Sequence, residues 1–385
     1  MTEPRPKVRS SLRHSARDLV AKIVPTGVRV ALRRAITGKR KPTEGLPPGL
    51  DADVLDRICR QETGEQSVGV SHLQLSGWRT AASGAFRIFA RIDDSRTWTC
   101  IYKNSVLTDE ETPGLGGLPL IPGSEYQVYA NTGPDLERFI PRRLHIQETE
   151  HRVRHKVVLE DLQIQGYGPV ITDKDVLGAI SQLPAFHDAF GATVHIWGGD
   201  DLYTYDEKWS DELRRLCRVS LEKYQELAPD PAVEQVLGIW DDLSTVHDVA
   251  LFHDPENRRP VHGDANRANV LVKPEAPIQV VDWEWAGWRL PQFDLASLLK
   301  GRSDDLTEEG IRAYAEIQKD FSLVEHTLFH AWARLELRLL DASYVIAQDL
   351  GAPGVSRMDL GRYLHVSARE ISETVDTLSR LMEKA

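Results

Sequence analysis

Two short segments near residue 270 carry side chains suited to phosphoryl transfer. Residues 262–264 read His-Gly-Asp and are followed by Asn269, and an apolar run further along the chain ends in Asp282. Asp264 can orient or deprotonate a hydroxyl group, whereas Asn269 and Asp282 offer the hard oxygen ligands that Mg²⁺ prefers when it also holds nucleotide phosphates. A single Asp or Asn usually caps a turn, but this combination of positions indicates a metal and phosphate site.

A predicted β-hairpin would bring these side chains together. Apolar runs at residues 270–272 and 278–281 flank a turn at residues 273–277 that contains two prolines. Asn269 stands at the start of the first run and Asp282 at the end of the second. The hairpin therefore places both side chains on the same rim.

The first half of the chain has the alternating pattern of a β-sheet. A helical pattern at residues 51–62 precedes strand patterns at residues 68–75, 85–92 and 97–102. The first connection between these strands, residues 77–84, is rich in small residues that let main-chain N–H groups approach phosphates closely, and Ser83 could add a hydroxyl donor. The pattern predicts a small sheet whose first connection could cover a phosphate group.

Helical patterns dominate the rest of the chain. They are spaced so that one face of each segment is apolar, which is typical of helices packed around a core. These segments are residues 175–190, 209–227, 232–243, 307–323, 324–348 and 359–384.

Residues 261–271, 280–284 and 293–298 resemble the catalytic segments of the aminoglycoside phosphotransferase and choline kinase-like superfamily, whose members are relatives of the protein kinases. The resemblance implies an α+β, bilobal protein-kinase-like fold with a small antiparallel-sheet N-lobe and a larger, mainly helical C-lobe. It divides the chain into an N-lobe ending in a hinge at 51–162 and a C-lobe at 163–385, and the composition of residues 1–50 predicts a basic arm and linker before them. The resemblance also implies a small-molecule kinase that uses ATP, or GTP, together with Mg²⁺.

The resemblance assigns nucleotide-binding roles in the N-lobe. Lys103 would reach the α- and β-phosphates and pair with Glu125, and Ser83 would lie in the loop over the phosphates. The Leu-Glu-Asp-Leu sequence at residues 159–162 would form the hinge between the lobes. There, main-chain groups at Glu160 and Leu162 would bind the adenine edge.

The resemblance also assigns roles in the C-lobe. Asp264 would be the catalytic residue, and Asn269 and Asp282 would bind Mg²⁺. His262 and Asp294 would brace the loop, although Asp294 could equally cap a helix that begins near residue 295. Candidates for contact with the acceptor are acidic and aromatic side chains of the C-lobe, namely Glu284, Trp285, Glu336 and Asp341.

Charge restricts the class of binding partner. The 385 residues contain 47 Lys and Arg against 58 Asp and Glu, a net charge of −11, although residues 1–50 alone hold twelve basic and three acidic residues. The acidic remainder repels nucleic acid and favours a cationic or amphoteric small molecule. Together with this charge, the resemblance implies that the acceptor is a hydroxyl of a cationic antibiotic, such as an aminoglycoside or a related natural product, which would confer antibiotic resistance. A kinase of a housekeeping metabolite (choline, homoserine or a sugar) and a non-catalytic nucleotide-binding module remain alternatives.

Composition also bears on location. No apolar run approaches the roughly 18 residues that a membrane span requires, and three scattered cysteines fit a reducing compartment. We therefore expect a cytoplasmic protein. The basic arm, residues 1–45, has helical spacing interrupted by Pro25 and lacks the features of a secretory signal. It could lie on an anionic membrane surface or contact a partner.

Overall fold

The computed structural model describes residues 42–76, 84–104, 124–148, 155–197, 202–227, 229–349 and 357–383. The chain divides into a first unit, residues 1–43, and a second unit, residues 44–385, which holds the elements discussed below. The predicted helical arm and Ser83 lie outside the described residues.

A six-stranded sheet forms the N-terminal part of the second unit, in the order β1–β2–β3–β4–β6–β5. Every pairing from β2 to β5 is antiparallel. The three predicted strands are confirmed within one or two residues as β2, β3 and β4. The strands are β1 (Thr43–Glu44), β2 (Gly69–Ser76), β3 (Gly84–Arg91), β4 (Thr97–Asn104), β5 (Arg143–Glu148) and β6 (His155–Glu160).

Three helices accompany this sheet. Helix α1 (Ala52–Thr63) is capped by the side chain of Asp51 and ends at Gly64 in the left-handed conformation, and its apolar face packs against the sheet. Helices α2 (Ser124–Ala130) and α3 (Pro134–Glu137) follow β4 in the chain. Helix α2 is largely buried, and its first-turn acid, Glu125, is buried with it.

The remainder is mainly helical, with two small three-stranded sheets. The short strands are β7 (Gly168–Pro169), β8 (Tyr203–Thr204), β9 (Arg259–Val261), β10 (Val270–Val272), β11 (Gln279–Val280) and β12 (Gly287–Arg289). The helices are α4 (Asp173–Ile180), α5 (Leu183–Trp197), α6 (Glu207–Leu227), α7 (Pro231–Gly238), α8 (Trp240–His247), α9 (Ala250–His253), α10 (Gln292–Leu299), α11 (Asp304–Ile317), α12 (Leu323–Asp349) and α13 (Arg357–Met382). The predicted fold class, a small antiparallel-sheet lobe followed by a larger helical lobe, is confirmed.

Two predicted helices are each broken in the structure. The segment 175–190 forms α4 and α5, because Pro184 lacks an N–H group and fits only the first turn of a new helix. The segment 232–243 forms parts of α7 and α8, which separate after Gly238. The hydrophobic periodicity predicted both segments as helical but did not show where the chain turns between them.

Two apolar clusters fill the helical part and position the site. One joins α6, α7, α8, α12 and α13, and the other packs α4 and α5 against the β10–β11 hairpin and α10. Trp283 is fully buried in the second cluster and donates its indole N–H to the carbonyl of Val280. No helix of the described residues has the length and apolar character needed to cross a membrane.

Candidate active site

Residues 262–269 are called the catalytic loop. The buried carboxylate of Asp294 holds this loop in place. Asp294 lies in the first turn of α10 and accepts hydrogen bonds from the main-chain N–H groups of His262 (2.9 Å) and Gly263 (2.8 Å). His187 of α5 bonds the same carboxylate at 3.0 Å. Asp294 thus caps the loop rather than its own helix, which begins two residues earlier at Gln292.

His262 links the catalytic loop to the neighbouring strand. Its Nε2 lies 3.0 Å from the carbonyl oxygen of Val281, and its Nδ1 lies 3.2 Å from the main-chain N–H of Asp264. A carbonyl can only accept, so Nε2 carries the proton and Nδ1 accepts. Burial lowers the pKa of His262, which agrees with a neutral ring. The ring therefore fixes the loop and has no free nitrogen with which to act as a base.

Gly263 allows the loop to turn beneath the segment that follows β11. Its φ is +79°, and a Cβ atom there would lie 2.0 Å from the carbonyl oxygen of Trp285. Both the positive φ and the close approach of the two main chains require glycine.

The side chain of Asp264 is held by two amides of the same loop. Asn266 Nδ2 donates to Oδ1 at 2.9 Å, and Asn269 Nδ2 donates to Oδ2 at 2.8 Å. Since the Asn269 amide nitrogen points at Asp264, its Oδ1 faces away and is available to a metal ion. Burial raises the pKa of Asp264 to about 7, and the negative charge of Asp282 adds to this shift.

The hairpin delivers Asp282 to the same rim, as predicted. Val270 pairs with Val280 across β10 and β11, and the N–H of Val281 donates to the carbonyl of Asn269 at 2.9 Å. Asp282 adopts the left-handed conformation at φ 72°, which turns its side chain away from the strand. This conformation is uncommon for a residue with a side chain and is frequent at functional sites.

Lys103 of β4 lies at the centre of a cluster of carboxylates. Its Nζ is 2.8 Å from Glu125 Oε1 in α2 and 3.6 Å from Glu284 Oε1, and it also bonds Asp282. His155 of β6 bonds the second oxygen of Glu125 at 3.0 Å. Burial opposes the charge of Lys103, but Asp282, Glu125 and Glu284 raise its pKa well above the usual range. One ammonium group thus joins both lobes.

The donor set suits a hard divalent cation. Asn269 Oδ1 accepts no hydrogen bond from the described residues, and the Asp282 side chain is 45% exposed. Amide and carboxylate oxygens on one rim are among the ligands that Mg²⁺ takes.

The sequence predicted a nucleotide-binding hinge at the end of β6, where Glu160 and Leu162 differ in how their polar groups are bonded. The side chain of Glu160 is engaged, since its oxygens accept from the main-chain N–H of Arg142 (2.8 Å) and from Gln165 (2.7 Å). By contrast, the main-chain N–H of Leu162 donates to no atom of the described residues. A free main-chain donor between the lobes is what recognition of a base edge requires.

The four residues predicted to contact the acceptor are in different surroundings. Glu284 lies with Lys103, on the side of the predicted nucleotide rather than that of an acceptor. The ring of Trp285 packs 6.4 Å from that of Trp209, and its carbonyl accepts from Tyr205. The acceptor contacts of Glu284 and Trp285 stay predictions.

Glu336 and Asp341 are both engaged in ion pairs. Glu336 is 1% exposed, bonds Arg289 at 3.2 Å through Nε, and accepts from Ser210 at 2.8 Å. It joins α12 to β12 and α6, a structural position that does not favour the predicted acceptor contact. Asp341 pairs with Lys300 at 2.7 Å and lies near enough to Asp264 to raise its pKa.

Two histidines that the sequence did not single out for the site complete its support. His155 orients Glu125, and His187 orients Asp294 while its other nitrogen lies 3.2 Å from the hydroxyl of Tyr314. Both histidines are buried. In the sequence, each is a polar residue close to apolar ones, and this pattern could have indicated a buried hydrogen-bond partner.

The lobes, the loop braced by Asp294 and the lysine held by carboxylates define the class as a kinase-like phosphotransferase. Residues 175–337 match the model of the phosphotransferase enzyme family. The predicted superfamily and the predicted class, a small-molecule kinase, are confirmed by this match. No curated protein matches the chain.

Solved structures of small-molecule kinases share the fold. A spectinomycin phosphotransferase in complex with ADP and spectinomycin is 15% identical, with 85% of this chain and 99% of that chain covered and a TM-score of 0.51. A microcompartment-associated aminopropanol kinase is 15% identical (84% and 98%, TM-score 0.54). The GDP complex of an aminoglycoside 2'-phosphotransferase is 13% identical (85% and 99%, TM-score 0.52).

Proposed function

We propose that the protein transfers the γ-phosphoryl group of ATP, with Mg²⁺, to a hydroxyl group of a small molecule. The observation that carries this proposal is that side-chain contacts bring Lys103, Asp264, Asn269 and Asp282 together on one rim. Lys103 and Asp282 are bonded directly, and Asn269 bonds Asp264. ATP and GTP both stay open, because the relatives named above bind ADP in one case and GDP in another.

Each residue has a role in this proposal. Lys103, held by Glu125, binds the α- and β-phosphates, and the main chain at Glu160 and Leu162 binds the base between an N-lobe at 51–162 and a C-lobe at 163–385. Asn269 and Asp282 hold Mg²⁺, which neutralises phosphate charge when bound. Asp264 orients the acceptor hydroxyl and accepts its proton. Because the transition state is loose, positioning and charge neutralisation supply most of the catalysis.

The relatives named above include kinases of two classes of acceptor. One related structure binds the antibiotic spectinomycin and another is an aminopropanol kinase, so both predicted acceptor classes, an antibiotic and a housekeeping metabolite, have a structural precedent. The titratable Asp264 and the donor set of Asn269 and Asp282 favour an enzyme over a non-catalytic nucleotide-binding module.

The proposal is tested by nucleotide binding and turnover in the full-length protein. We expect ATP or GTP to bind in a Mg²⁺-dependent way by calorimetry, and mass spectrometry to detect an added phosphate on members of a panel of hydroxylated small molecules. Asp282→Asn should weaken Mg²⁺-nucleotide binding at least tenfold, whereas the exposed Asp304→Asn should not. Nucleotide binding that is equal with and without Mg²⁺, together with no phosphorylated product, would show a binding module instead.

A further inference from the structure

A basic cleft lies beside the catalytic loop, between α10, α12 and α13. We call it the basic pocket, and its charged lining consists of Lys300, Arg302, Arg334, Arg338 and one acid, Glu370. A cluster of cations in a protein of net charge −11 is opposite to the charge of the chain as a whole. Local charge of this kind selects ligands by sign at short range.

The cations of this region exceed their acidic partners. Arg302 pairs with Asp173 at 2.9 Å, Lys300 with Asp341, and Arg338 with both Asp341 and Glu370. Arg334 is half-buried and forms no ion pair with any carboxylate of the described residues. Arg267 of the catalytic loop, next to Gly301, also has none. The region therefore carries surplus positive charge.

Two buried polar atoms at the pocket also have no partner. His330 is 5% exposed and its Nε2 has no hydrogen-bond partner, and the same holds for Nε of Arg338, which is 7% exposed. Buried polar atoms nearly always have partners, so unpaired donors in a cleft indicate a missing ligand or water. Both atoms belong to residues that line the cleft.

The pocket is connected to the reacting groups. Asp341 is held by Lys300 and Arg338 of the pocket, and Gly301 of the pocket lining lies beside Arg267 of the catalytic loop. Arg338 and Arg334 precede Asp341 by one and two turns of α12. At a rise of about 1.5 Å per residue, Arg334 lies about 10 Å along the helix from Asp341.

We propose that the acceptor is a hydroxylated small molecule with an anionic group, a phosphate ester or a carboxylate, which binds Arg334 in the basic pocket while its hydroxyl lies at Asp264. This inference rests on the proposed function. It differs from the sequence-based expectation of a cationic or amphoteric acceptor, because it requires an anionic group. Guanidinium groups bind phosphate and carboxylate through two parallel hydrogen bonds.

The first experiment compares acceptors that differ only in charge. The full-length enzyme, with ATP and Mg²⁺, is offered sugar phosphates beside the free sugars, and hydroxy acids beside their amides and the matching amino alcohols. The rate and mass of each product are measured. We expect turnover with one of the two anionic series and little with the neutral or cationic partners, and the two series distinguish phosphate from carboxylate.

The second experiment tests Arg334 directly. Arg334→Gln should raise the KM of the anionic acceptor about tenfold or more with kcat changed much less, and Arg334→Lys should recover part of the loss. The exposed Arg312→Gln on α11 keeps the pocket intact and serves as the matched control. Equilibrium binding of inorganic phosphate, with the nucleotide site filled by a non-hydrolysable ATP analogue, measures the pocket without turnover. Thermal unfolding checks that each variant is folded.

The outcomes separate the two proposals. Phosphorylation of neutral or cationic acceptors only, or an Arg334→Gln variant that matches the wild type in both assays, would overturn the anionic acceptor and leave the kinase assignment intact. If nucleotide does not bind and no product forms, the kinase assignment fails. Phosphate binding without nucleotide, weakened by Arg334→Gln, would then still support an anion site in the pocket.

Discussion

The catalytic loop and the basic pocket differ in how completely their polar groups are satisfied. In the loop, the oxygens of Asp294 accept from two main-chain N–H groups and from His187, and both oxygens of Asp264 accept from asparagines. In the pocket, His330 and Arg338 each have a buried nitrogen without a partner, and Arg334 has no ion pair with the described residues. The hydrogen bonds of the catalytic loop fix one geometry, whereas the basic pocket keeps polar groups that are free to bind a ligand.

This difference predicts how substitutions will act. Removing a group from the loop leaves buried partners unsatisfied, so stability and turnover should fall together. Removing the guanidinium of Arg334, which forms no ion pair with the described residues, takes away only an interaction with the ligand, so acceptor affinity should fall while the free enzyme keeps its stability. Asp264 is the informative exception, since it lies in the loop but acts on the ligand.

Asp264→Asn should have the largest effect on rate. If Asp264 both orients the hydroxyl and accepts its proton, its loss should reduce turnover on the order of 10³-fold or more. Nucleotide binding, measured by calorimetry, should remain within a few-fold of the wild type because Lys103 and Asp282 are unchanged. Unchanged turnover would remove Asp264 from the mechanism. A variant that fails to bind nucleotide would instead place Asp264 in the metal site.

Asp294→Ala should have the largest effect on stability. It leaves the N–H groups of His262 and Gly263 and the ring of His187 without their buried acceptor, which should lower the free energy of unfolding by about 3–5 kcal/mol. Denaturant unfolding measures this loss. Asp188→Asn, at an exposed position of α5, is the control and should change stability by less than about 0.5 kcal/mol. A small loss in Asp294→Ala would mean that the loop is held by other contacts.

These two aspartates show what the sequence could and could not predict. Asp264, Asn269 and Asp282 lie within a segment of some twenty residues, so their spacing and one hairpin place them together without knowledge of the rest of the fold. Lys103 and Glu125 required the resemblance to a known family, because they reach Asp282 only through the packing of the lobes. The basic pocket draws on α10, α12 and α13, and an arginine on a helix surface gives no sequence signal that distinguishes a ligand contact from a solvated charge.

Gly263→Ala should have an intermediate effect and separates main-chain strain from side-chain chemistry. The added Cβ would meet the carbonyl of Trp285 at 2.0 Å, and φ is +79°. Because main chain must move on both sides, we expect a stability loss of about 3 kcal/mol or more, together with reduced turnover. Gly166→Ala is the matched control, since φ is +88° with no atom within 4 Å, and it should lose only about 1 kcal/mol. Equal losses in the two variants would show that the close approach to Trp285 is unimportant.

The smallest predicted effect is a change in the pH dependence of stability, and it concerns His330 of the basic pocket. Burial, with the charge of Arg334, lowers the pKa of His330 to about 3, whereas an unfolded histidine titrates near about 6.5. Between these values the unfolded chain binds a proton that the folded protein does not. The contribution of His330 to stability is therefore complete above pH of about 6.5 and declines as the pH falls.

Relative to His330→Gln, the wild type should therefore lose about 1–2 kcal/mol of unfolding free energy between about pH 6.5 and about pH 5. The exposed His195→Gln should leave the difference unchanged, which isolates the buried ring. A bound anion stabilises the protonated ring, so saturating sulfate should reduce the loss if the pocket receives an anion. A pH dependence that His330→Gln does not alter would mean that the ring is hydrated, and the contrast between a satisfied loop and an unsatisfied pocket would then rest on Arg334 and Arg338 alone.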